Sequence, residues 1–214
     1  MKKALIFDLD GLMVDTETLC YNTWVQVGKE HGVDVPLEFY LPLIGGSRNV
    51  FEEVRKIYPE AWALGEEVKL RRMPVMEKML NEHPGSLNKP GLEELYIAAR
   101  QKGYKIAVAS SSSRDYVENH LNHLGFPFEA DVIVGGDEVE IPKPNPDVFL
   151  KAMKHLGETP EHCMILEDSR NGILAAHAAN IDVVFIQDMV PPDELMKQYM
   201  LCQKPTLKEV IELL

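Results

Sequence analysis

The sequence predicts an α/β chain: a doubly wound parallel sheet with an inserted α-helical cap subdomain. Two observations lead there. Short apolar runs alternate with helical patterns over most of the chain, as in a parallel sheet covered by helices on both faces. Residues 16–81 break that alternation and show helical patterning alone.

The first run, 4–7, is Ala-Leu-Ile-Phe. It is too short for a helix and reads as a buried strand. Helices are then expected over 16–30, 47–57 and 61–80, with Pro74 placed to interrupt the last. Turn residues flank this region: Gly11 before it, His83-Pro84-Gly85 and Lys89-Pro90-Gly91 after it. The domain boundaries follow: a Rossmann-like core of 1–14 and 84–214, and a helical cap of 15–83. Linkers near 14–16 and 83–91 are placed to let the cap close. A helix over 91–102 puts Leu92, Leu95 and Ala99 on one face. A strand at 105–109 and a helix over 113–124, with Val117, Leu121 and Leu124 together, come next. A strand at 131–134 precedes a helix over 146–156 that opens with a helix-start proline. After a strand at 164–166, Ser169 and Asn180 bound a helix as cap and terminator. The last predicted strand is 183–186.

Bulk properties narrow the function. The 214 residues carry 22 Lys and Arg against 34 Asp and Glu, a net charge of −12. That charge opposes nucleic acid and anionic membranes, and neither is expected as a partner. An anionic substrate would need a local patch of positive charge. No stretch approaches the length of a membrane span, and the first apolar run stops too soon for a signal peptide. Cys20, Cys163 and Cys202 are widely spaced, which fits free thiols in a reducing compartment. A cytoplasmic monomer is expected.

Polar residues collect at the strand ends, where doubly wound sheets bind ligands. Asp8 and Asp10 follow the first strand. Ser110, Ser111, Ser112 and Ser113 follow the second. Lys143 lies in the loop after the third, and Glu167 and Asp168 follow the fourth. Each piece has an ordinary explanation alone. Asp-x-Asp-Gly is a common turn, a serine run a common helix cap, a lysine among prolines a solvated side chain, and Glu-Asp-Ser a normal helix entry. Their joint occurrence, in order and each at a strand end, marks one site. A calcium-binding EF-hand loop is excluded at Asp8–Glu17, because Gly11 comes too early and Leu12-Met13-Val14 supplies no oxygen ligands.

Four segments carry a family resemblance across nearly the whole chain: FDLDGLMVDTE (7–17), VASSS (108–112), KPNPDVF (143–149) and LEDSRNGILAA (166–176). They resemble the four motifs of the haloacid dehalogenase superfamily, and the helical insert resembles its cap. The likeness is strongest to the β-phosphoglucomutase-like branch of phosphatases and mutases. The resemblance implies Asp8 as the nucleophile that forms an aspartyl-phosphate and Asp10 as general acid and base. Ser110, Ser111 and Lys143 would hold the transferring phosphoryl group. Mg²⁺ would be bound by Asp8, Asp168 and the main-chain carbonyl of Asp10, with Glu167 supporting it directly or through water. The family's dehalogenases lack the second aspartate and the metal, so Asp10 with Glu167 and Asp168 argues for phosphoryl chemistry.

The resemblance therefore implies a Mg²⁺-dependent phosphatase of a small phosphorylated metabolite, a sugar or polyol phosphate. A β-phosphoglucomutase-type mutase is the alternative, and a non-catalytic phosphate-binding module a third reading. The mutase branch typically has a histidine where this chain has Cys20, and a neutral thiol makes no cationic hydrogen bond, which favours hydrolysis. In the cap, Ile44-Gly45-Gly46-Ser47-Arg48-Asn49 resembles the substrate-specificity loop. Arg48 is a candidate for gripping substrate oxygens, or simply a surface arginine at a helix start. Arg72 falls near a cap lysine of the mutases, or on a solvated helix face. Trp24 and Trp62 are expected in the cap core.

Overall fold

At the centre of the sheet lies β1 (Ala4–Phe7), all four residues buried. Its neighbours are β2 (Lys105–Ala109) and β4 (Cys163–Glu167), and the sheet extends through β3 (Val132–Val134), β5 (Asp182–Ile186) and β6 (Cys202–Lys204). The order is β3-β2-β1-β4-β5-β6, and every pairing is parallel. The structure, a computed structural model, describes residues 2–44 and 48–214.

The chain divides into two units, Met1–Asp15 with Gly85–Leu214, and Thr16–Pro84. In the first, helices α6 (Leu92–Gln101), α7 (Arg114–Leu121), α8 (Asp147–Leu156), α9 (Arg170–Ala178) and α10 (Glu194–Tyr199) accompany the strands. One core layer joins Ile6, Ala107 and Ile165 of the sheet to Phe149, Ala152 and Ile173 of the helices. Each large apolar side chain buried this way contributes about 1.5–3 kcal/mol. Ser169 caps α9 by accepting from the Gly172 N–H at 3.0 Å, and Asn180 beyond its end takes a positive φ of 57°, as expected of a terminator. The second unit holds α1 (Thr16–His31), α2 (Leu37–Tyr40), α3 (Arg48–Ile57), α4 (Pro59–Ala63) and α5 (Gly65–Glu82). Among the described residues no helix is long and apolar enough to cross a membrane.

The segments that leave and rejoin the core run side by side. Val14 forms bridges with Asp10 and Asn88, and the Asp15 N–H donates to Leu87 O at 2.7 Å.

Several expectations are corrected. The break in the third cap helix falls at Leu64, not at Pro74. Pro59 starts a separate α4, and α5 runs through Pro74 because burial of Val68, Met76 and Leu80 holds the helix together across it. The helix after the serines ends at Leu121. Pro146 sits at the N-cap of α8, one position before the helix starts. Strand β6 and helices α2 and α10 were not anticipated. The strand is three residues, Cys-Gln-Lys, too short and polar to announce itself.

Candidate active site

The register of the central strands assembles the site. Phe7 lies opposite Val108 and Leu166, so Asp8 emerges beside Ala109 and Glu167 at one rim. Asp8, Ser110, Glu167 and Asp168 are all buried.

Lys143 reaches this rim from the loop before α8. Its Nζ donates to Asp8 Oδ1 at 2.5 Å, to Glu167 Oε1 at 2.7 Å and to Ala109 O at 3.3 Å. It also lies 4.5 Å above the Phe149 ring, a favourable place for a desolvated cation. Burial works against its charge, but Asp8 and Glu167 outweigh that and hold it above the ordinary lysine range. A lysine so held stays cationic throughout the physiological range.

Glu167 is fully buried and already satisfied. Its Oε2 accepts from the Asp168 N–H at 3.0 Å, the Ser169 N–H at 2.8 Å and the Ser169 hydroxyl at 2.9 Å. Together with Lys143 these contacts occupy both oxygens, so Glu167 serves as an anchor for the lysine and for the α9 entry. The carboxylate lies where a side chain at residue 172 would go: a Cβ on Gly172 would overlap Glu167 Oε1. Two effects oppose each other in Gly172→Ala. Helix propensity favours alanine by about 1 kcal/mol, while overpacking against a pinned carboxylate costs about 1–3 kcal/mol. The overlap is with a group fixed by several hydrogen bonds, so net destabilisation is expected in urea unfolding. An unchanged or raised midpoint would show that Glu167 yields freely.

Asp10 is engaged by hydroxyls. Its Oδ2 accepts from the Ser112 hydroxyl at 2.8 Å and its Oδ1 from the Tyr116 hydroxyl at 3.1 Å. Neither partner was assigned a role from sequence, although Ser112 and Tyr116 stand four residues apart, one just before α7 and one within it. Ser110 Oγ accepts from the Ser112 N–H at 3.0 Å. Ser111 is exposed; its main-chain oxygen lies where a Cβ on Gly136 would go.

A further acid, Asp188, was missed. It follows β5 and its Oδ1 accepts from Lys89 Nζ at 2.6 Å. The rule that exposed the other residues, an acid just beyond a strand end, applies equally to Phe185-Ile186-Gln187-Asp188. Gly11 adopts φ +80°, a conformation that favours glycine, and packs closely here. A Cβ on it would overlap Asp168 Oδ2 and lie 3.3 Å from Asp188 Oδ2.

The acids Asp8, Asp10, Glu167, Asp168 and Asp188 thus outnumber Lys143 and Lys89. Burial is the largest influence on Asp8 and pushes its carboxyl up to about 7; Lys143 pulls it down, while Glu167 and Asp10 raise it. Asp168 is raised well above the carboxylate range, first by burial and then by Glu167, Asp8 and Asp188. Asp168 Oδ1 and Asp188 Oδ2 are buried with no hydrogen-bond partner among the described residues. A site this short of positive charge has room electrostatically for a cation.

The helical unit holds the other candidates. Gly45, Gly46 and Ser47 lie outside the described residues, as does the Arg48 side chain; the Arg48 backbone begins α3. Cys20 is buried and accepts from Arg72 Nη1 at 3.7 Å, so Arg72 turns inward within its unit instead of lying on a solvated face. Trp24 and Trp62 are half-buried; Trp24 packs edge-on against the buried Phe39 with ring centroids 4.9 Å apart, and both tryptophans line a cavity of about 480 Å³ with Phe51 and Leu43.

Comparison with known proteins identifies the family. The family model of the haloacid dehalogenase-like hydrolases matches residues 5–186. A Bacillus subtilis (strain 168) protein, YhcW, provisionally named a phosphatase, is 36% identical over 201 residues, 93% of this chain and 90% of that one. The phosphorylated carbohydrates phosphatase of Thermotoga maritima is 27% identical over 187 residues, covering 86% of this chain and 84% of its own. A solved β-phosphoglucomutase of Clostridium difficile superposes with a TM-score of 0.70 at 27% identity, over 98% of this chain and 93% of that one. The chain belongs to the haloacid dehalogenase-like hydrolases.

Proposed function

We propose that the protein is a Mg²⁺-dependent phosphatase that hydrolyses a small phosphorylated metabolite, a sugar or polyol phosphate, through an aspartyl-phosphate. The observation that carries this reading is the division of labour between two aspartates two residues apart. Asp8 is paired to a buried lysine; Asp10 accepts from the Ser112 and Tyr116 hydroxyls.

Asp8 is the nucleophile. Lys143 opposes the effect of burial and favours the ionised carboxylate, the form that attacks. Attack on phosphorus breaks the bond to the substrate oxygen and leaves the phosphoryl group on Asp8. Asp10 gives its proton to the departing alkoxide, then takes one from the water that attacks the aspartyl-phosphate. That water releases inorganic phosphate, frees Asp8 as its carboxylate and leaves Asp10 carrying a proton again. General acid–base help of this kind contributes roughly 10²- to 10⁴-fold. The Ser112 and Tyr116 hydroxyls fix the direction in which Asp10 presents its oxygens. The Ser110 hydroxyl and Lys143 donate to the phosphoryl oxygens, where fixed donors act most strongly.

The donor set fits Mg²⁺. Among the described residues no three acidic, histidine or cysteine side chains converge on one point, but Mg²⁺ binds through one or two carboxylates and keeps several waters. Asp8, Asp168 and the main-chain carbonyl of Asp10 would hold it, and the orphaned Asp168 Oδ1 is the oxygen that most needs it. Glu167, with both oxygens occupied, supports the site from behind. When bound, the ion supplies charge neutralisation for the transferring phosphoryl group.

A panel of sugar and polyol phosphates assayed with Mg²⁺ tests the reading. Phosphate release is expected, silenced by excess EDTA and restored by Mg²⁺; full turnover in chelator would overturn the metal assignment. Conversion of β-glucose 1-phosphate to glucose 6-phosphate would identify the mutase instead. A pH dependence follows as well. With Asp8 titrating at about 7 and Asp168 also raised, protons compete with the ion at pH 5 and much less at pH 8. Mg²⁺ affinity by calorimetry should rise over that interval, and a flat profile would contradict it.

A further inference from the structure

We infer that Asp188 is an additional acid of the cation site, with Lys89 as its counter-charge. The inference rests on the Mg²⁺ reading above and extends it to a residue outside the four sequence motifs. Asp188 is reached from β5, the strand beyond the one that supplies Glu167 and Asp168. Its side chain is only 7% exposed.

Three observations carry the assignment. The two oxygens of Asp188 have different surroundings. Oδ1 is bound to Lys89 at 2.6 Å, while Oδ2 is buried and has no partner among the described residues. That orphaned oxygen faces the same place as Asp168, since a Cβ on Gly11 would overlap Asp168 Oδ2 and approach Asp188 Oδ2 to 3.3 Å. Asp168 itself leaves Oδ1 buried and without a partner. Two desolvated carboxylates that each leave an oxygen unmatched, packed against one glycine, repel each other strongly unless a cation joins them. A divalent cation at the Asp168 end satisfies this need.

Lys89 does not meet it. It binds the opposite oxygen and belongs to the segment that returns from the helical unit, where its N–H donates to Met13 O at 2.9 Å. It ties Asp188 to that returning segment through the far oxygen and offsets part of its charge, while the other oxygen is left for the ion. Gly11 completes the arrangement, because any side chain there would fill the space between the two acids.

Mg²⁺ titration calorimetry on the full chain, with thermal melts to confirm folding, separates this role from a structural one. Asp188→Asn is expected to weaken Mg²⁺ binding by about 10- to 100-fold, the usual effect of removing a group that supports a metal ligand. Lys89→Met removes a positive charge and is expected to leave Mg²⁺ affinity equal or tighter. A purely structural Lys89–Asp188 bridge would instead make both variants lose thermal stability alike, with Mg²⁺ affinity unmoved or reduced in both; that result overturns the inference. Wild-type binding that is unchanged in Asp188→Asn overturns it alone. Absence of Mg²⁺ binding by the wild type overturns it together with the metal reading.

Discussion

Asp8→Asn is expected to reduce turnover by about 10⁴- to 10⁶-fold, the scale seen when a nucleophile is removed, without loss of the fold. An amide has nearly the carboxylate's shape, and its oxygen still accepts from Lys143. The lysine also keeps Glu167 at 2.7 Å and Ala109 O at 3.3 Å. The substitution removes one negative charge from a rim that also holds Glu167, Asp168 and Asp10, all of which lie close enough to Asp8 to influence it or be influenced by it. Relief of that repulsion offsets the lost ion pair, so the melting temperature should stay level or rise. The two readouts together are decisive. Turnover within tenfold of wild type would exclude the aspartyl-phosphate route, whereas lost activity with lost folding would say nothing of chemistry and would contradict the stability argument.

The residues that meet at the rim were more legible in the sequence than the scaffolding. Strand ends with acids, hydroxyls and a lysine can be read because a parallel sheet brings its carboxyl ends to one rim, and the register of Phe7 with Val108 and Leu166 does so here. The same rule applied to the strand ending at Ile186 would have found Asp188; its acid is isolated and lies outside any recognisable motif. Ser112 and Tyr116 were hidden for another reason. Their contacts to Asp10 depend on how α7 leaves β2, and Ser113, at the N-cap of α7, makes no side-chain cap hydrogen bond; the Arg114 N–H at the first helical position goes to Asp137 Oδ1 at 2.9 Å. The family resemblance implies that Glu167 supports the metal, directly or through water. Only the three-dimensional contacts reveal that its oxygens are taken by main-chain donors, a hydroxyl and Lys143. In the helical unit the helix break at Leu64 eluded local reading because Pro74, the more obvious breaker, is overridden by burial on either side.

Lys143→Met is expected to cost more stability than any other single change at this rim, about 3–5 kcal/mol at pH 8, with turnover lost as well. Removing one member of a buried ion pair leaves the other uncompensated, and here the lysine has two carboxylate partners with side chains 10% and 0% exposed. Methionine fills similar space, so the loss is of charge and hydrogen bonds more than of packing. The pH dependence identifies the cause. Without the lysine, the folded-state pKa of Asp8 moves further above its unfolded value, because the one influence that lowered it most is gone. The folded variant then binds a proton that the unfolded chain has released, and its stability falls as pH rises through that window. Wild-type Asp8, raised to about 7, also keeps its proton in the fold below that pH, so the gap between wild type and variant in urea unfolding should stay level up to about pH 7 and widen from there upward; a gap independent of pH over the whole range would mean that packing dominates. Combining the two substitutions closes the cycle. Asp8→Asn removes the charge that Lys143→Met abandons, so it should stabilise the Lys143→Met background by more than it stabilises the wild type. If the two effects simply add, Lys143 and Asp8 are not energetically coupled, and the lysine's main partner is Glu167.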